Sequence, residues 1–437
     1  MSAADAVAAW VWLPGAPDPM LAGELRIAPK AGLWHYAAGY LAEVGAFALD
    51  PLQLPLKGGT KERLQRSTDG LPGVVRDAMP AGYGADRLRA RWGDALDEQA
   101  LLELAPGDGV GALAVCRDIQ AKIDWRPHTL GQLGQMAAEL QDGAPASRAV
   151  RRLLDDAATS AGGERPKVTV ADGDTLWLAK LQDRGDLPHL PEKEFALMHL
   201  ISELDGEADI RIPRLRLERF GAHTVYLIER FDRGRDSASG RSTRLAYASA
   251  HTVLGLSTAS VDGDPARSYL VLADQLRRWA HGSPHLTADL AELWRRMVCN
   301  ALVGNTDDHP RNHGLLREGG HWRLAPAFDI TPLASGRPVQ RMGVGRDGSA
   351  VPTLDRLLAA APHFGVEPQA AAQWLHRKAC FLAQHHEQAF RKAGVPEAEL
   401  PRLRAAFTLA CEWVEQGAAI EAAGAALAAT LGRRQRR

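Results

Sequence analysis

The chain has 437 residues, 46% of them apolar and 24% charged, so it is long enough for two or three domains and too apolar to be disordered throughout. Its 52 basic and 53 acidic side chains give a formal net charge of −1. A balance so close to zero excludes the global positive charge with which many proteins bind nucleic acid or an anionic membrane.

The N-terminal part is predicted to mix strands and helices. An apolar run from Ala9 to Leu13, ended by Pro14 and Gly15, predicts a strand, and residues 112–116 predict another. Helices are predicted at 86–92 and 98–104. We therefore place a small mixed α/β domain at residues 1–125.

Short strands dominate the middle of the chain. Residues 168–170 and 176–180 flank a turn and predict a β-hairpin, a helix follows at 192–204, and two more strands are predicted at 215–220 and 224–231. Apolar side chains at helical spacing predict a helix just before this region, within 129–158. We place a β-rich lobe with this leading helix at residues 126–245.

The remainder is predicted to be helical, with a turn-rich stretch from 304 to 350. The predicted helices are 270–281, 286–302, 369–393 and 397–431. We place a helical C-terminal lobe at residues 246–437. The predicted fold class is α+β, with a small mixed α/β N-terminal domain, a β-rich lobe and an all-helical C-terminal lobe.

Neither secretion nor a membrane span is predicted. The start of the chain lacks the pattern of a signal peptide, and no run of 18 uncharged apolar residues occurs. The four cysteines lie far apart without CxxC spacing, which is typical neither of a disulfide framework nor of a zinc site. We therefore expect a cytoplasmic protein.

The densest cluster of polar side chains is 304–313, directly after a predicted apolar helix. Asp307 and Asn312 stand five positions apart there, and Asp329 follows 17 residues later at the end of a short apolar stretch. Phosphoryl transfer needs a carboxylate that accepts the proton of the acceptor hydroxyl, and oxygen ligands that hold Mg²⁺ against the phosphates. The catalytic loop of protein kinases spaces its Asp and Asn in the same way. The spacing predicts Asp307 as catalytic base and Asn312 and Asp329 as metal ligands.

Upstream residues follow the order that a nucleotide-binding lobe requires. Lys180 ends a predicted strand, where its ammonium group is expected to reach the phosphates, and Glu194 on the next helix is expected to pair with it. The small-residue loop 160–167 precedes this hairpin, and its backbone N–H groups suit phosphate contact. Residues 229–233 close the last strand, where the hinge of a kinase meets adenine. Together these segments predict a protein-kinase-like two-lobed fold.

These residues resemble the HipA-like Ser/Thr kinases, the toxins of bacterial toxin–antitoxin pairs. The resemblance spans about residues 20–350. It runs through 162–167, 178–180, 194–196, 229–233, 295–298, 305–312 and 322–329, and through 76–84 and 109–113 in the N-terminal region.

The resemblance implies ATP and Mg²⁺ as cofactors and a protein Ser or Thr as phosphate acceptor, with a translation factor such as an aminoacyl-tRNA synthetase as a target. It also implies a HipB-like helix-turn-helix antitoxin, through which any DNA contact would mainly run, and no membrane partner. The implied residue roles are Asp307 as catalytic base; Gly162, Gly163, Lys167, Lys180, Glu229, Phe231, His309, Asn312, Phe328 and Asp329 in nucleotide binding; Asn312 and Asp329 as metal ligands; Glu194 as the partner of Lys180; and Ser160 as a regulatory phosphorylation site.

Two positions depart from the family pattern. Arg311 stands where the family usually has Lys, which keeps the charge and changes its geometry. Glu164 adds an anion to the phosphate loop, where it opposes phosphate binding unless Arg165 or Lys167 offsets it.

Other interpretations stay open on the sequence alone. A small-molecule phosphotransferase of the aminoglycoside-kinase type uses the same arrangement of Asp, Asn and Asp side chains. A pseudokinase that acts as a binding module is a further alternative, and Glu164 is the one residue that argues for it. The cluster at 304–313 also fits a solvated turn, or a transition-metal site formed by His309, His313 and two aspartates.

Overall fold

The computed structural model describes most of the chain, in two compact units. It describes residues 6–28, 31–56, 63–65, 70–142, 163, 165–182, 185–221, 223–236, 238–333 and 338–435. The first unit comprises Met1–Pro191, Arg214–Thr258 and Leu315–His321, and the second comprises Glu192–Pro213, Ala259–Gly314 and Trp322–Arg437. The three-part division into 1–125, 126–245 and 246–437 stays a prediction. Within the described ranges, no helix has the length and apolar character needed to cross a bilayer.

An antiparallel sheet forms the N-terminal part of the first unit. In pairing order its strands are β4 (Arg63–Gln65), β3 (Ala31–Tyr36), β2 (Pro19–Ala28), β1 (Val7–Trp12) and β5 (Leu113–Val115). Val7, Ala9 and Val11 alternate along β1 and are fully buried, so this face of the sheet supplies the core. The register shifts between Ala9 and Trp10, which marks a β-bulge.

A second five-stranded sheet carries the predicted hairpin. In pairing order its strands are β11 (Leu215–Phe220), β12 (His223–Glu229), β8 (Thr175–Lys180), β7 (Lys167–Asp172) and β6 (His128–Thr129). Val168 and Val170 on β7 share one face with Trp177 and Ala179 on β8, since side chains alternate along each strand. Helix α6 (Leu130–Asp142) packs on this face through apolar side chains that include Met136. Lys167 and Lys180 therefore lie on the opposite face.

Shorter elements complete the first unit. Helix α4 (Glu98–Leu104) begins where the Asp97 carboxylate accepts a hydrogen bond from the N–H of Ala100, so a capping residue sets its start. The helices are α1 (Ala38–Ala42), α2 (Gly73–Ala78), α3 (Tyr83–Trp92), α4 (Glu98–Leu104), α5 (Ile119–Ile123) and α8 (Ala250–Val253), and the strands are β13 (Arg233–Arg235), β14 (Ser242–Arg244), β15 (Tyr247–Ser249) and β16 (Gly314–Glu318).

The second unit is mostly helical. Trp294, Met297, Phe390 and Phe407 are fully buried, and the rings of Phe390 and Phe407 meet edge to face at 5.9 Å. Its elements are α7 (Leu190–Ser202), β9 (Glu203–Leu204), β10 (Glu207–Ala208), α9 (Tyr269–Trp279), α10 (Leu286–Leu302), β17 (His321–Leu324), α11 (Leu354–Ala360), α12 (Pro368–Ala393), α13 (Leu400–Leu403), α14 (Thr408–Val414) and α15 (Gly417–Gln435), with 3₁₀ turns at Pro310–Asn312, Ala361–Phe364, Glu397–Glu399 and Arg404–Phe407.

Residues 246–437 are not all helical, which corrects the prediction for the C-terminal lobe. Strands β15, β16 and β17 fall in this range. Gly319 and Gly320 both have positive φ and separate β16 from β17, and burial alternates along β17 with the period of a strand. This stretch was predicted only as turn-rich.

The single helix predicted over 397–431 is interrupted. Residues in this range form two 3₁₀ turns and three α-helices. Pro401 stands in the first turn of α13, where its missing N–H is tolerated, and cannot continue a helix from before it. A turn at Glu415 and Gln416 separates α14 from α15.

Candidate active site

Gly304 turns the chain out of α10 into the polar loop 305–313. Its φ is +61°, a conformation that favours glycine. A Cβ atom at this position would lie 2.7 Å from the carbonyl oxygen of Ala406, so a side chain would collide with backbone. The start of the loop therefore depends on glycine both for its dihedral angle and for space.

A buried hydrogen-bond network holds the loop. The side-chain amide of Asn305 donates to Asn300 at 3.0 Å, and the amide of Asn300 donates to the hydroxyl of Tyr269 at 2.8 Å. This hydroxyl donates to one oxygen of Asp308 at 2.8 Å, and the N–H of Arg341 donates to the other at 2.7 Å. The network ties α9 and α10 to the residue that follows the predicted catalytic base.

Two groups in this network have strongly shifted pKa values. Burial raises the pKa of Asp308 to about 7, against the opposing effect of its hydrogen bonds. Burial lowers the pKa of His313 to about 3, so its imidazole is neutral at neutral pH. The Nε2 atom of His313 lies 3.2 Å from the Tyr269 hydroxyl. Both groups act as fixed, buried partners and not as solvent-exposed charges.

Asp307 has a half-exposed carboxylate and lies next to this buried network. Its side chain is 47% exposed, and its Oδ1 atom lies 3.3 Å from Nε of Arg341. The N–H of Asp307 donates to Asn305 at 3.3 Å, and its carbonyl oxygen accepts from the amide of Asn312 at 2.8 Å. Arg341 is a neighbour that sequence reasoning missed, because 34 residues separate it from Asp307 and no motif marks it.

Asp329 is held next to the same loop by buried ion pairs. Arg296 is almost fully buried, pairs with Glu292 and donates to the carbonyl oxygen of Ala325 at 2.7 Å, which anchors the chain just before Asp329. Asp329 itself has φ +60°, which costs a residue with a side chain about 1–2 kcal/mol. Such strain is kept where surrounding contacts fix the backbone, as they do here.

Asn312, Phe328 and Asp329 line one small cavity of about 10 Å³, room for about one water molecule. The structure thus brings the two predicted metal ligands together. Asp307 and Asp329 both counteract the fall in pKa that burial causes at His309. The Nδ1 atom of His309 is buried and has no hydrogen-bond partner among the described residues. Asp307, His309, Asn312 and Asp329 therefore form one constellation.

This constellation fits Mg²⁺ better than a transition metal. In the described part of the chain, no group of three or more His, Cys, Asp or Glu side chains is arranged to hold a metal ion. Mg²⁺ does not need such a cage, because one or two protein oxygens, water and substrate phosphates complete its octahedral shell. One amide oxygen and one carboxylate, from Asn312 and Asp329, match that requirement.

In the first unit, two lysines lie side by side on one face of the second sheet. Lys167 and Lys180 are directly opposite in the β7–β8 pairing, and both are more than 90% buried. The ammonium group of Lys180 lies 5.8 Å from the ring centre of Tyr226. Gly163 has φ +88°, and a Cβ atom there would overlap the ammonium group of Lys167. Gly163 and both lysines thus form a compact cationic corner.

The segment 229–233 is fixed by a buried charge network that sequence reasoning missed. Arg230 forms two hydrogen bonds of 2.8 and 2.9 Å to Asp232, which also accepts from Arg233 at 2.7 Å and from the N–H of Gly111 at 2.8 Å. These contacts hold the pKa of Asp232 well below its usual range despite burial. The hydrogen bond between Gly111 and Asp232 joins residues more than 100 positions apart in the chain, and no local sequence pattern indicates it.

Glu229 and Phe231 lie in this segment, and their contact with a nucleotide stays a prediction. Glu229 forms a 2.8 Å hydrogen bond with Arg214, and the ring of Phe231 lies 6.4 Å from that of Tyr247. The side chain of Glu229 therefore has an ion-pair partner in the first unit.

Some predicted site residues cannot be placed in this way. Ser160, Gly162 and Glu164 lie outside the described residues. Lys180 and Glu194 belong to different compact units, so their pairing stays a prediction. Glu194 is buried and accepts a hydrogen bond from the hydroxyl of Thr331 at 3.3 Å. This contact ties α7 to the residues directly after Asp329.

Comparisons with known proteins agree with this architecture. The family model of the HipA N-terminal domain matches residues 11–116, and that of the HipA-like C-terminal domain matches residues 159–385. The fold is similar to that of HipA from Shewanella oneidensis MR-1, solved with HipB and operator DNA, with a TM-score of 0.66 and 16% identity over 94% of this chain and 99% of that chain. The Helicobacter pylori proinflammatory kinase CtkA shows 14% identity over 56% of this chain and 94% of that chain, with a TM-score of 0.33. Among curated proteins no match was found.

Proposed function

Because the chain belongs to the HipA-like family, we propose that it is an ATP-dependent Ser/Thr protein kinase of the toxin type. The observation that carries the proposal is the constellation in the second unit. Asn312 and Asp329 line one cavity, and the charges of Asp307 and Asp329 both oppose the fall in pKa that partial burial causes at His309. This grouping supports Asp307 as the base and Asn312 and Asp329 as metal ligands of a phosphotransferase.

The proposed reaction needs few chemical steps from the protein. The hydroxyl oxygen of a Ser or Thr side chain attacks the γ-phosphorus of ATP, the bond between that phosphorus and the bridging oxygen breaks, and ADP leaves. Asp307 orients the hydroxyl and accepts its proton. Its half-exposed carboxylate is accessible to a hydroxyl on another protein.

The remaining side chains have positioning roles in this proposal. Asn312 and Asp329 would hold Mg²⁺, which when bound neutralises charge on the phosphates. Lys180 and Lys167 contact phosphate oxygens, and Glu194 pairs with Lys180. The other proposed nucleotide contacts come from Gly162, Gly163, Glu229, Phe231, His309 and Phe328.

The proposal also includes organisation and partners. We retain a kinase-like two-lobed layout and the division into 1–125, 126–245 and 246–437, without the all-helical C-terminal lobe. The similar HipA was solved with HipB and operator DNA, which supports a HipB-like antitoxin as partner here, with DNA contacted mainly through it. A translation factor as substrate, a cytoplasmic location and phosphorylation at Ser160 complete the proposal.

Mass spectrometry after incubation with ATP and Mg²⁺ tests it. The full chain is incubated with a bacterial lysate cleared of nucleotides, and phosphate is mapped on this chain and on lysate proteins. Phosphate on protein Ser or Thr residues supports the proposal, and phosphate on Ser160 supports its regulatory part. Turnover of ATP on metabolites alone would make the chain a small-molecule phosphotransferase, and no ATP consumption would make it a pseudokinase.

A further inference from the structure

A second cavity lies entirely within the first unit, at the β7–β8 turn. Its volume is about 620 Å³, within the range of small-molecule sites. Its lining includes residues 173–176 of the turn and strand β8, together with Trp12, Lys122 and Trp125. Thr175 and Lys180 stand at opposite ends of β8, about 16 Å apart along an extended strand. The cavity therefore does not include the lysine pair proposed to contact ATP, although Glu229, a proposed nucleotide contact, also lines it.

The wall of this cavity is strongly basic. Seven basic and two acidic side chains line it. Both acidic ones are already engaged, Asp174 by Arg235 at 2.5 Å and Glu229 by Arg214 at 2.8 Å. The basic side chains are Lys122, Arg126, Arg230, Arg233, Arg235, Arg241 and Arg244.

Four of the seven have a carboxylate partner. Arg230 and Arg233 share Asp232, and Arg241 pairs with Asp18, in addition to the pair formed by Arg235. These four arginines therefore share three carboxylates within the unit.

Within the part of the chain that the structure describes, the other three basic side chains donate hydrogen bonds to backbone carbonyl groups and to no carboxylate. Lys122 donates to the carbonyl oxygens of Leu102, Glu103 and Ala105. Arg126 donates to those of Ile123 and Trp125, and Arg244 to that of Gly107. Carbonyl groups bind a cation without cancelling its charge. The buried carboxylate of Asp108 attracts several of the basic side chains as well, and the seven basic side chains still outnumber the carboxylates that face them.

The grouping of these basic side chains is electrostatically unfavourable. Burial, together with the nearby guanidinium groups of Arg233 and Arg230, pushes the pKa of Arg244 well below its usual range. Its guanidinium carbon lies 3.6 Å from the ring centre of Trp12, a cation–π contact that fixes it at the wall. Burial lowers the pKa of Lys122 to about 8. An anion in the cavity would relieve the repulsion between Arg244 and its neighbouring guanidinium groups.

We propose that this cavity binds the phosphate groups of a small phosphorylated metabolite. Guanidinium groups form paired hydrogen bonds to phosphate oxygens, and a concave wall that carries several of them suits a di- or polyphosphate. The volume also accommodates an attached sugar and base beside the lining tryptophans. A nucleic acid would need an extended basic surface instead of a cavity, and the net charge of −1 does not provide one.

Isothermal titration calorimetry on the full chain tests the proposal. The probes are inorganic pyrophosphate and uridine diphosphate, each titrated in EDTA so that no Mg²⁺-dependent site is filled. Arg126 is exposed, so Arg126→Gln should fold. The second variant, Arg244→Gln, removes the half-buried cation that lies against the ring of Trp12. Each change is expected to weaken binding by at least about tenfold, the loss of one charge-assisted hydrogen bond. Equal affinity for both probes assigns the site to the phosphate groups, and tighter binding of uridine diphosphate assigns it to a nucleotide.

Two control variants separate this site from the proposed ATP site. Arg91→Gln changes an exposed arginine away from the cavity, and Lys180→Gln changes the lysine pair. Arg91→Gln should bind the probes like wild type, and binding that is lost in Lys180→Gln alone belongs to the lysine pair. No binding of either probe at millimolar concentration would overturn the proposal. So would unchanged affinity in Arg126→Gln, or affinity lost in Lys180→Gln and retained in Arg126→Gln. The kinase proposal can fail without affecting any of these outcomes.

Discussion

Asn312 and Asp329 line the same 10 Å³ cavity although 17 residues separate them in the chain. The contacts that bring them together are buried. Arg296 anchors the backbone before Asp329, and the amide of Asn312 donates to the carbonyl oxygen of Asp307. One short loop and one strained aspartate therefore meet at a fixed separation, which is the condition for sharing a ligand.

This relationship predicts a changed Mg²⁺ requirement in two variants. Asn312→Ala removes a neutral oxygen, and Asp329→Asn removes a negative charge that attracts the cation. The Mg²⁺ concentration for half-maximal phosphoryl transfer should rise in both by at least about tenfold, and more in Asp329→Asn. Kinase assays over a Mg²⁺ series measure this. Asp94→Asn, at an exposed position of the first unit, should behave as wild type. An unaltered Mg²⁺ curve in both site variants would show that these residues do not hold the metal.

Asp308 should make stability depend on pH in a definite direction. Burial raises its pKa from 3.8 to about 7, so between these values the folded chain keeps a proton that the unfolded chain has released. Its contribution to stability is complete below about pH 4 and is lost as the pH rises through 7. The variant Asp308→Asn has no proton to release. Relative to wild type, its free energy of unfolding should therefore rise by about 1–3 kcal/mol between pH 5 and pH 8.

Urea unfolding of both proteins at the two pH values gives this difference. His313 acts in the opposite direction, because its lowered pKa of about 3 removes stability as the pH falls from about 6.5. Both proteins contain His313, so its effect cancels in the comparison. A difference in unfolding free energy that is the same at pH 5 and pH 8 would mean that Asp308 is ionised in the folded chain throughout this range.

Gly163 and Gly206 offer a matched pair of substitutions. Their φ angles are +88° and +85°, so alanine strains both backbones by about 1 kcal/mol or more. A Cβ atom at Gly163 would overlap the ammonium group of Lys167, whereas nothing lies within 4 Å of one at Gly206. Both variants should lose stability in thermal unfolding. Only Gly163→Ala should also raise the KM for ATP, by several-fold. If the KM for ATP rises equally in the two variants, Lys167 does not take part in nucleotide binding.

The sequence predicted the parts of this molecule that local patterns determine. The hairpin at 167–180 and the helices at 98–104 and 286–302 follow from alternation and helical spacing, and the Asp307–Asn312 spacing identified the loop. The buried network around Asp232 and the role of Tyr269 could not be predicted, since each depends on partners far away in the chain. The single helix predicted over 397–431 was wrong. The prediction followed the apolar periodicity and gave too little weight to Pro401 and to the turn before Gly417.

Asp307 is the residue on which the proposed activity depends. The most direct measurement compares transfer of labelled γ-phosphate from ATP to protein by wild type, Asp307→Ala and the control Asp94→Ala, with circular dichroism to verify folding. We expect Asp307→Ala to lose at least about 100-fold in rate, the effect of removing a positioned general base, and Asp94→Ala to transfer phosphate like wild type. A folded Asp307→Ala variant that transfers phosphate at the wild-type rate would contradict the assignment of this site.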